Sequence, residues 1–127
     1  MSDQTAPTET PTRLRLRIVF GGDAMLGPGK ADLLERIRAT GSIAAAGRSM
    51  SMSYKRAWSL VEEMNHAFRA PLVDSTRGGT KGGGAQLTET GETVLAHYRK
   101  LEEITANTGA DEIAALRTLL KDMSDGK

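Results

Sequence analysis

The sequence predicts a mainly α-helical protein with a small β-hairpin wing. The predicted arrangement is a winged helix-turn-helix followed by a C-terminal dimerisation helix or helices. Small residues with helical spacing at 42–49 are followed by a tight turn at 50–52. An amphipathic helix with basic residues near its start comes next. Two short apolar strands, joined by a glycine-rich basic segment, then complete the order of a winged helix-turn-helix.

The segment in front of this block is predicted to contain a tail, a strand and a helix. Residues 1–12 offer almost nothing to bury and are expected to be disordered. Arginine alternates with leucine and isoleucine over 13–20, which predicts a strand with one basic and one apolar face. Glycines and a proline indicate a loop over 21–29. Residues 30–39 have the spacing of a helix that Gly41 stops.

Each helix of the helix-turn-helix begins after a serine that is able to cap it. The side-chain oxygens of Ser42 and Ser53 can accept hydrogen bonds from the first backbone amides of a helix. The helix after Ser53 is predicted to place these apolar side chains on one face: Ala57, Leu60, Val61, Met64 and Phe68. These polar side chains lie opposite: Lys55, Arg56, Ser59, Glu62 and Glu63.

The exposed start of this second helix contains the candidate DNA contacts. Lys55 and Arg56 lie in the turns that reach base edges in this motif. Arg56 could bind O6 and N7 of guanine or grip a phosphate, and Lys55 and Ser59 suit either role. Tyr54 could pack its ring and donate its hydroxyl to a phosphate, and Ser53 completes the predicted set. The alternative is an ordinary solvated helix face.

The glycine-rich segment 77–84 is the candidate wing. It has five glycines in eight residues, and glycine allows backbone amides to approach phosphates closely. The predicted DNA contacts in this segment are Arg77, Gly79, Lys81 and Gly82. A plain flexible hairpin is the alternative, and the glycine density favours a mobile wing that becomes ordered on DNA.

The charge distribution agrees with a nucleic-acid partner, although the whole chain has a net charge of only +1. Residues 13–87 include twelve Lys or Arg and six Asp or Glu, whereas 88–127 include five and eight. Positive charge is therefore concentrated around the helix-turn-helix, as phosphate binding requires. An ordinary solvated surface could carry the same modest excess, so the distribution does not decide the function alone.

Composition disfavours several other classes of protein. The 127 residues include no cysteine and two histidines, so we expect no metal site and no cofactor. No nucleophile, base and orienting group form a recognisable set, so an enzyme is not expected. No apolar run approaches the ~20 residues that span a bilayer, and no secretory signal is visible. We therefore expect a cytoplasmic protein without membrane contact.

The C-terminal part is predicted to be helical. The winged helix-turn-helix domain is expected to span 13–104, and 105–127 to form a helical segment. Thr88 is a suitable cap for the first of these helices. The pattern breaks at 107–109 and resumes over 111–123, where the apolar stripe consists of Ile113, Leu116, Leu120 and Met123. This stripe could fold back on its own domain or seal a two-fold dimer, and we favour the dimer because paired half-sites multiply DNA affinity.

Several motifs together resemble the DNA-binding domain of ModE-type molybdate-responsive transcriptional regulators. The resemblance spans about 14–103 and rests on these segments: Gly41-Ser42-Ile43, Met52-Ser53-Tyr54-Lys55-Arg56-Ala57-Trp58, Glu63-Met64-Asn65, Pro71-Leu72-Val73, Gly78-Gly79, Lys81-Gly82-Gly83-Gly84-Ala85, Leu87-Thr88 and Gly91. It implies a LysR-like winged helix that is homodimeric. It also implies that the second helix and the wing read an inverted repeat in double-stranded DNA.

Two departures from the family pattern bear on function. Gly47 and Ser51 replace the alanine and the turn glycine common in this helix-turn-helix, which softens the first helix. Family members continue into molybdate-binding domains, whereas this sequence ends at Lys127, so we expect no tight molybdate binding and the effector stays open. The alternative function is a winged-helix protein-interaction or anti-regulator module, against which the basic residues argue.

Overall fold

The computed structural model describes residues 11–76 and 84–121, which form two antiparallel hairpins and five helices. The elements follow in this order: β1 (Ile18–Gly21), β2 (Ala24–Leu26), α1 (Pro28–Thr40), α2 (Ile43–Ser49), α3 (Tyr54–Ala67), β3 (Val73–Thr76), β4 (Gly84–Leu87), α4 (Glu89–Thr108) and α5 (Ala110–Arg117). Strand β1 pairs with β2, and β3 pairs with β4. Helices α2 and α3 form the helix-turn-helix and β3–β4 the base of the wing, so the predicted fold class is confirmed.

The core lies where the first four helices meet. Helix α1 packs against α2, α3 and α4, and α2 packs against α3. The largest fully buried side chains are Leu33, Leu34, Ile37, Val61, Met64, Leu72 and Tyr98. Gly47 allows α2 to approach α3 closely, because a Cβ at this position would lie 2.9 Å from the Cβ of Ala57. The glycine that departs from the family pattern is therefore accommodated by the packing of the helix pair.

Helix α1 has clear signals at both ends. It begins at Pro28, slightly before the predicted start, because the fixed φ of proline suits the first helical position. It ends before Gly41, whose φ of 71° lies in the left-handed region. The N–H of Gly41 donates to the carbonyl of Ile37 at 2.8 Å. The predicted stop at Gly41 is confirmed.

The N-terminal segment keeps the predicted faces but not the predicted strand. Leu14, Leu16 and Ile18 are half-buried, and the arginines between them are exposed. The strand begins only at Ile18, because no strand in the described ranges pairs with the backbone before it. The Tyr98 hydroxyl holds this backbone instead, by donating to the carbonyl of Leu16 at 2.6 Å.

Part of the predicted loop over 21–29 forms the strand β2. Gly21 and Gly22 have φ values of 122° and 55° and make the turn that returns the chain onto β1. Strand β2 places Leu26 in the core. A strand of three residues between glycines has too little periodicity to be recognised, so the prediction of a simple loop is wrong here.

Short contacts join the end of α3 to the wing base and to α4. The side-chain oxygen of Asn65 accepts from the N–H groups of Leu72 at 2.8 Å and Val73 at 3.1 Å. Its amide nitrogen donates to the carbonyl of Val73 at 3.2 Å. Thr88 caps α4 as predicted, by accepting from the N–H of Gly91 at 2.9 Å. A Cβ on Gly91 would overlap the carbonyl oxygen of Leu72, so only glycine fits this approach.

The two C-terminal helices differ from the prediction in length. Helix α4 continues to Thr108, so the expected domain boundary between 104 and 105 falls within it. The predicted break is present at Gly109, between α4 and α5. Helix α5 ends at Arg117, whereas the sequence predicts a helix over 111–123. The predicted length of this helix is therefore wrong.

The backbone after α5 tightens and leaves the α-helical path. The N–H of Leu119 donates to the carbonyl of Leu116, and that of Leu120 to the carbonyl of Arg117. Helix α5 buries none of its residues fully, and a short helix with so little tertiary packing has little to stabilise its ends. Leu120 is therefore not on the helix with Leu116, and Met123 lies outside the described residues.

Candidate nucleic-acid interface

The helix-turn-helix is held by two serine caps and by one residue in an unusual conformation. Ser42 accepts a hydrogen bond from the N–H of Ala45 at 3.0 Å, and Ser53 accepts one from the N–H of Arg56 at 3.0 Å. Both predicted caps are confirmed. Ser51, in the turn between the helices, has a φ of 60°, which favours glycine. The turn therefore keeps a left-handed residue at a cost on the order of 1 kcal/mol.

Helix α3 turns its apolar face into the core, as predicted, and its polar face to solvent. The five predicted DNA contacts are all exposed around its amino-terminal half: Ser53, Tyr54, Lys55, Arg56 and Ser59. The ring of Tyr54 meets Trp58 edge-on, with the centroids 6.2 Å apart. This contact agrees with the packing expected for the tyrosine ring. The DNA-binding role of the five residues stays a prediction.

The carboxyl-terminal half of α3 is acidic, whereas its amino-terminal half carries the basic side chains of Lys55 and Arg56. Glu62, Glu63 and His66 are exposed here and line a cleft of about 540 Å³. The opposite wall of the cleft is the turn of the β1–β2 hairpin, which includes Asp23. The solvent-facing side of α3 therefore changes from basic to acidic along its length.

A buried lysine holds Glu63. Lys30 is only 5% exposed, and its Nζ lies 3.1 Å from Oε1 of Glu63. The same Nζ donates to the carbonyl of Met25 at 3.2 Å, so Lys30 links α1, α3 and β2. Sequence reasoning missed this contact, because lysine within a helical pattern is normally expected at the surface. Glu62, by contrast, has no salt-bridge partner among the residues that the structure describes.

The base of the wing is fixed to the helix-turn-helix. Strands β3 and β4 pair in register over their full length. The N–H of Ala85 donates to the carbonyl of Gly41 at 2.9 Å, which ties β4 to the end of α1. Asn65 ties the start of β3 to α3. The predicted wing contacts lie outside the described residues and stay predictions: Arg77, Gly79, Lys81 and Gly82.

An ion cluster joins α1 to α4. Arg99 contacts Asp32 at 2.8 Å, and it also contacts Glu35. Its third partner is Glu102 at 3.0 Å. Burial lowers the pKa of Arg99, but its hydrogen bonds to the three carboxylates more than offset this, so its pKa lies above the ordinary value. Burial, and then the charge of Glu102, raise the pKa of Tyr98. The guanidinium stays charged and holds the two helices together.

The predicted dimerisation residues do not form one continuous helical stripe. Ile113 is half-buried on α5, and Leu116 is 64% exposed. Leu120 is 63% exposed beyond the end of α5, and Met123 is outside the described residues. Other large apolar side chains exposed in this part of the chain are Leu101, Ile104 and Leu119. The C-terminal part thus carries apolar surface that the rest of residues 11–76 and 84–121 does not cover.

The surface of α3 offers hydrogen-bond donors and positive charge at one end, which is the chemistry of nucleic-acid recognition. Within 11–76 and 84–121, no three or more side chains of histidine, cysteine, aspartate or glutamate are grouped to hold a metal ion. None of the helices in these ranges is long and apolar enough to cross a membrane.

A family model matches the central part of the chain. The family is described as bacterial regulatory helix-turn-helix protein, lysR family, and the match covers residues 30–92. These residues run from the first turn of α1 to the first turn of α4. The match therefore includes the helix-turn-helix and the base of the wing.

The chain is also similar to curated proteins of the ModE type. It is 46% identical over 79 residues to the molybdenum-pterin-binding protein MopB of Rhodobacter capsulatus, which covers 62% of this chain and 29% of that protein. It is 40% identical over 95 residues to the molybdenum transport protein ModE of Azotobacter vinelandii, a match that covers 73% of this chain and 35% of that protein. It is 38% identical over 77 residues to the DNA-binding transcriptional dual regulator ModE of Escherichia coli K12, a match that covers 61% of this chain and 29% of that protein. The chain spans about a third of the length of these relatives, and the predicted resemblance is confirmed.

Solved structures of LysR-type regulators share the fold. Full-length LysG of Corynebacterium glutamicum with bound effector Arg matches with a TM-score of 0.53 and 26% identity, over 74% of this chain and 30% of that chain. The DNA-binding domain of CbnR in a DNA complex matches with a TM-score of 0.54, over 69% of this chain and 95% of that chain. At 18% identity the CbnR match shows the fold alone. The described part of the chain therefore has the winged helix-turn-helix fold of these regulators.

Proposed function

We propose that this protein is a sequence-specific DNA-binding transcriptional regulator of the ModE type, and the match of residues 30–92 to the lysR family of bacterial regulatory helix-turn-helix proteins supports this. The observation that carries the proposal is the amino-terminal half of α3. Lys55, Arg56 and Ser59 are exposed there on a helix whose opposite face is fixed in the core. The major groove of DNA admits one helix presented in this way.

Residues at the start of α3 divide between base and phosphate contacts in this proposal. The guanidinium of Arg56 matches O6 and N7 of guanine, and it also matches the two oxygens of a phosphate. Lys55 and Ser59 fit either partner. Ser53 and Tyr54 stand at the helix start, where unpaired backbone amides and the helix dipole favour a phosphate.

The wing provides the second set of contacts. Arg77 and Lys81 supply positive charge, and Gly79 and Gly82 allow backbone amides to approach phosphates. The hydrogen bond from Ala85 to the end of α1 supports this role, because it fixes the base of the wing beside the helix-turn-helix. The wing contacts are therefore expected to add affinity for any sequence.

We propose that the protein acts as a two-fold homodimer. The exposed apolar side chains of the C-terminal part support this, and the residues assigned to the interface are Ile113, Leu116, Leu120 and Met123. A two-fold interface buries the same surface on both copies. It would place two α3 helices about 34 Å apart, at successive major grooves on one face of an inverted repeat.

The names of two relatives refer to molybdenum. MopB is named for binding molybdenum-pterin, and ModE of Azotobacter vinelandii for molybdenum transport. We therefore propose molybdenum-related target genes and action in the cytoplasm, where bacterial DNA lies. We propose no effector, because the chain spans only about a third of the length of these relatives.

Selection of bound fragments from a random double-stranded DNA library tests the proposal with the full chain. We expect enrichment of an inverted repeat. Affinity for that repeat should fall linearly on logarithmic axes as salt rises, with a slope of about −0.9 for each phosphate neutralised. Absence of any enriched sequence, or affinity that does not change with salt, would contradict the proposal. In that case the protein-interaction module becomes the better account.

Substitutions then separate base contacts from phosphate contacts. Arg56→Ala should cost about 1–3 kcal/mol and relax discrimination at one operator position if the guanidinium reads a base. Lys81→Ala should weaken binding to all sequences by a similar factor and make the salt slope shallower by about one phosphate. A uniform loss for Arg56→Ala would reassign this residue to a phosphate contact.

A further inference from the structure

Glu62 lies on the same strip of α3 as two of the proposed DNA contacts. It follows Lys55 by two helical turns and Ser59 by less than one. At 100° per residue, the three side chains fall within about 60° of each other around the helix axis. All three are exposed. If α3 enters the major groove as proposed, Glu62 enters with it.

The neighbouring carboxylate of Glu63 is in a different position. It pairs with the buried ammonium of Lys30 at 3.1 Å, so its charge is balanced and its side chain is held toward α1. Glu62 has no such partner in the described part of the chain. Of the two adjacent carboxylates, only Glu62 is without an ion-pair partner among the described residues, so it is the one available to a partner outside the molecule.

Few groups in the major groove can donate a hydrogen bond to a carboxylate. An ionised carboxylate only accepts hydrogen bonds, and phosphates repel it because both groups are negatively charged. The groove edges of guanine and thymine present acceptors, namely N7, O6 and O4, and adenine presents N7 beside its amino group. The N4 amino group of cytosine is a donor without a neighbouring acceptor on the same base. We infer that Glu62 is a specificity-determining residue that reads cytosine in the operator, and this inference rests on the proposed DNA-binding function.

Library selection with the full chain tests this assignment. The wild type should prefer cytosine strongly at one position of each half-site. Glu62→Ala should lose that preference. Glu62→Gln should shift it toward adenine, because an amide pairs with both N6 and N7. Glu103→Gln makes the same charge change at an exposed position of α4 and should leave every preference unchanged.

A base analogue provides a second measurement on the same contact. Replacing the preferred cytosine with 2-pyrimidinone removes the 4-amino group. This change should weaken wild-type binding by about tenfold. The Glu62→Ala variant, which lacks the carboxylate, should bind the operator with the analogue as well as it binds the operator with cytosine. Circular dichroism should show equal helix content for all variants, since Glu62 is exposed.

The possible failures are distinguishable. If the wild type enriches a motif and both Glu62 variants keep the same preferences, the inference is overturned and the proposed function stands. An equal cost of the analogue for wild type and Glu62→Ala overturns it in the same way. If the wild type enriches no motif, the proposed function fails and the inference fails with it.

Discussion

Helices α3 and α5 share apolar spacing in the sequence, but only α3 buries side chains in the core. The residues that α3 buries are Ala57, Leu60, Val61 and Met64, whereas α5 buries none. Helix α3 extends over the amphipathic pattern as far as Ala67, one residue short of Phe68, whereas α5 stops at Arg117, well short of the predicted end at Met123. Apolar spacing is therefore enough to predict a helix, but the surface that covers the helix decides its length and its contribution to stability.

Equivalent truncations in the two helices should have very different effects. Met64→Ala removes a fully buried side chain of α3 and should lower the free energy of unfolding by about 3 kcal/mol. Leu116→Ala, in α5, removes an exposed side chain of similar size and should change it by less than about 0.5 kcal/mol. Urea unfolding at a low protein concentration measures both. An equal loss for the two variants would mean that α5 is packed in solution.

The hydrogen bonds that attach α3 to the wing base should contribute nearly as much to the free energy of unfolding as the burial of Met64. Asn65→Ala leaves the N–H groups of Leu72 and Val73 without their partner and should cost about 2 kcal/mol. The matched control is Asn107→Ala, since Asn107 is exposed near the end of α4. Thermal unfolding compares the two. If both variants unfold at the same midpoint temperature, the Asn65 contacts do not stabilise the junction between α3 and the wing base.

The exposed face near α5 should matter for assembly rather than for folding. Leu116→Asp combined with Leu120→Asp should give folded monomers, because neither side chain is buried in the chain itself. Operator affinity should fall at least about tenfold when half-sites no longer bind together. Sedimentation measures the assembly, and Thr118→Asp controls for added charge. A monomeric wild type at micromolar concentration, or an unfolded double variant, would contradict the proposed dimer.

The cap of α3 should give the smallest effect of this series. Ser53→Ala removes the acceptor for the N–H of Arg56 and should cost about 1 kcal/mol. Ser53→Thr keeps a hydroxyl and should retain most of that stability. Urea unfolding of the two variants checks the difference. Equal stability of Ser53→Ala and the wild type would show that α3 is held by its buried face alone.

Local signals were sufficient for most of the helix-turn-helix. Ser42, Ser53 and Thr88 cap helices as the sequence predicts, and Gly41 ends one. These residues act on backbone groups within four positions of themselves, so their effects are visible in a short stretch of sequence. The exposed start of α3 could be predicted for the same reason, because the helical period assigns its faces.

Contacts between distant segments could not be predicted in the same way. The pairing of Lys30 with Glu63 joins two helices, and nothing near either residue in the sequence indicates the other. The cluster around Arg99 depends in the same way on how α1 meets α4. Strand β2 was missed because it exists only through its pairing with β1. Each of these features depends on tertiary structure, which local periodicity does not contain.

If the protein binds DNA as proposed, the change of charge along α3 would orient it before contact. The cations of Lys55 and Arg56 stand at one end of the helix, and the carboxylate of Glu62, which has no ion-pair partner among the described residues, stands further along it. The dipole of the helix backbone points the same way, with its positive end at the amino terminus. In the negative field of a duplex, within the ~8 Å screening length of physiological salt, the amino-terminal end would be attracted more strongly than the acidic end. Diffusing molecules would then turn before collision, and fewer encounters would be lost to a wrong orientation.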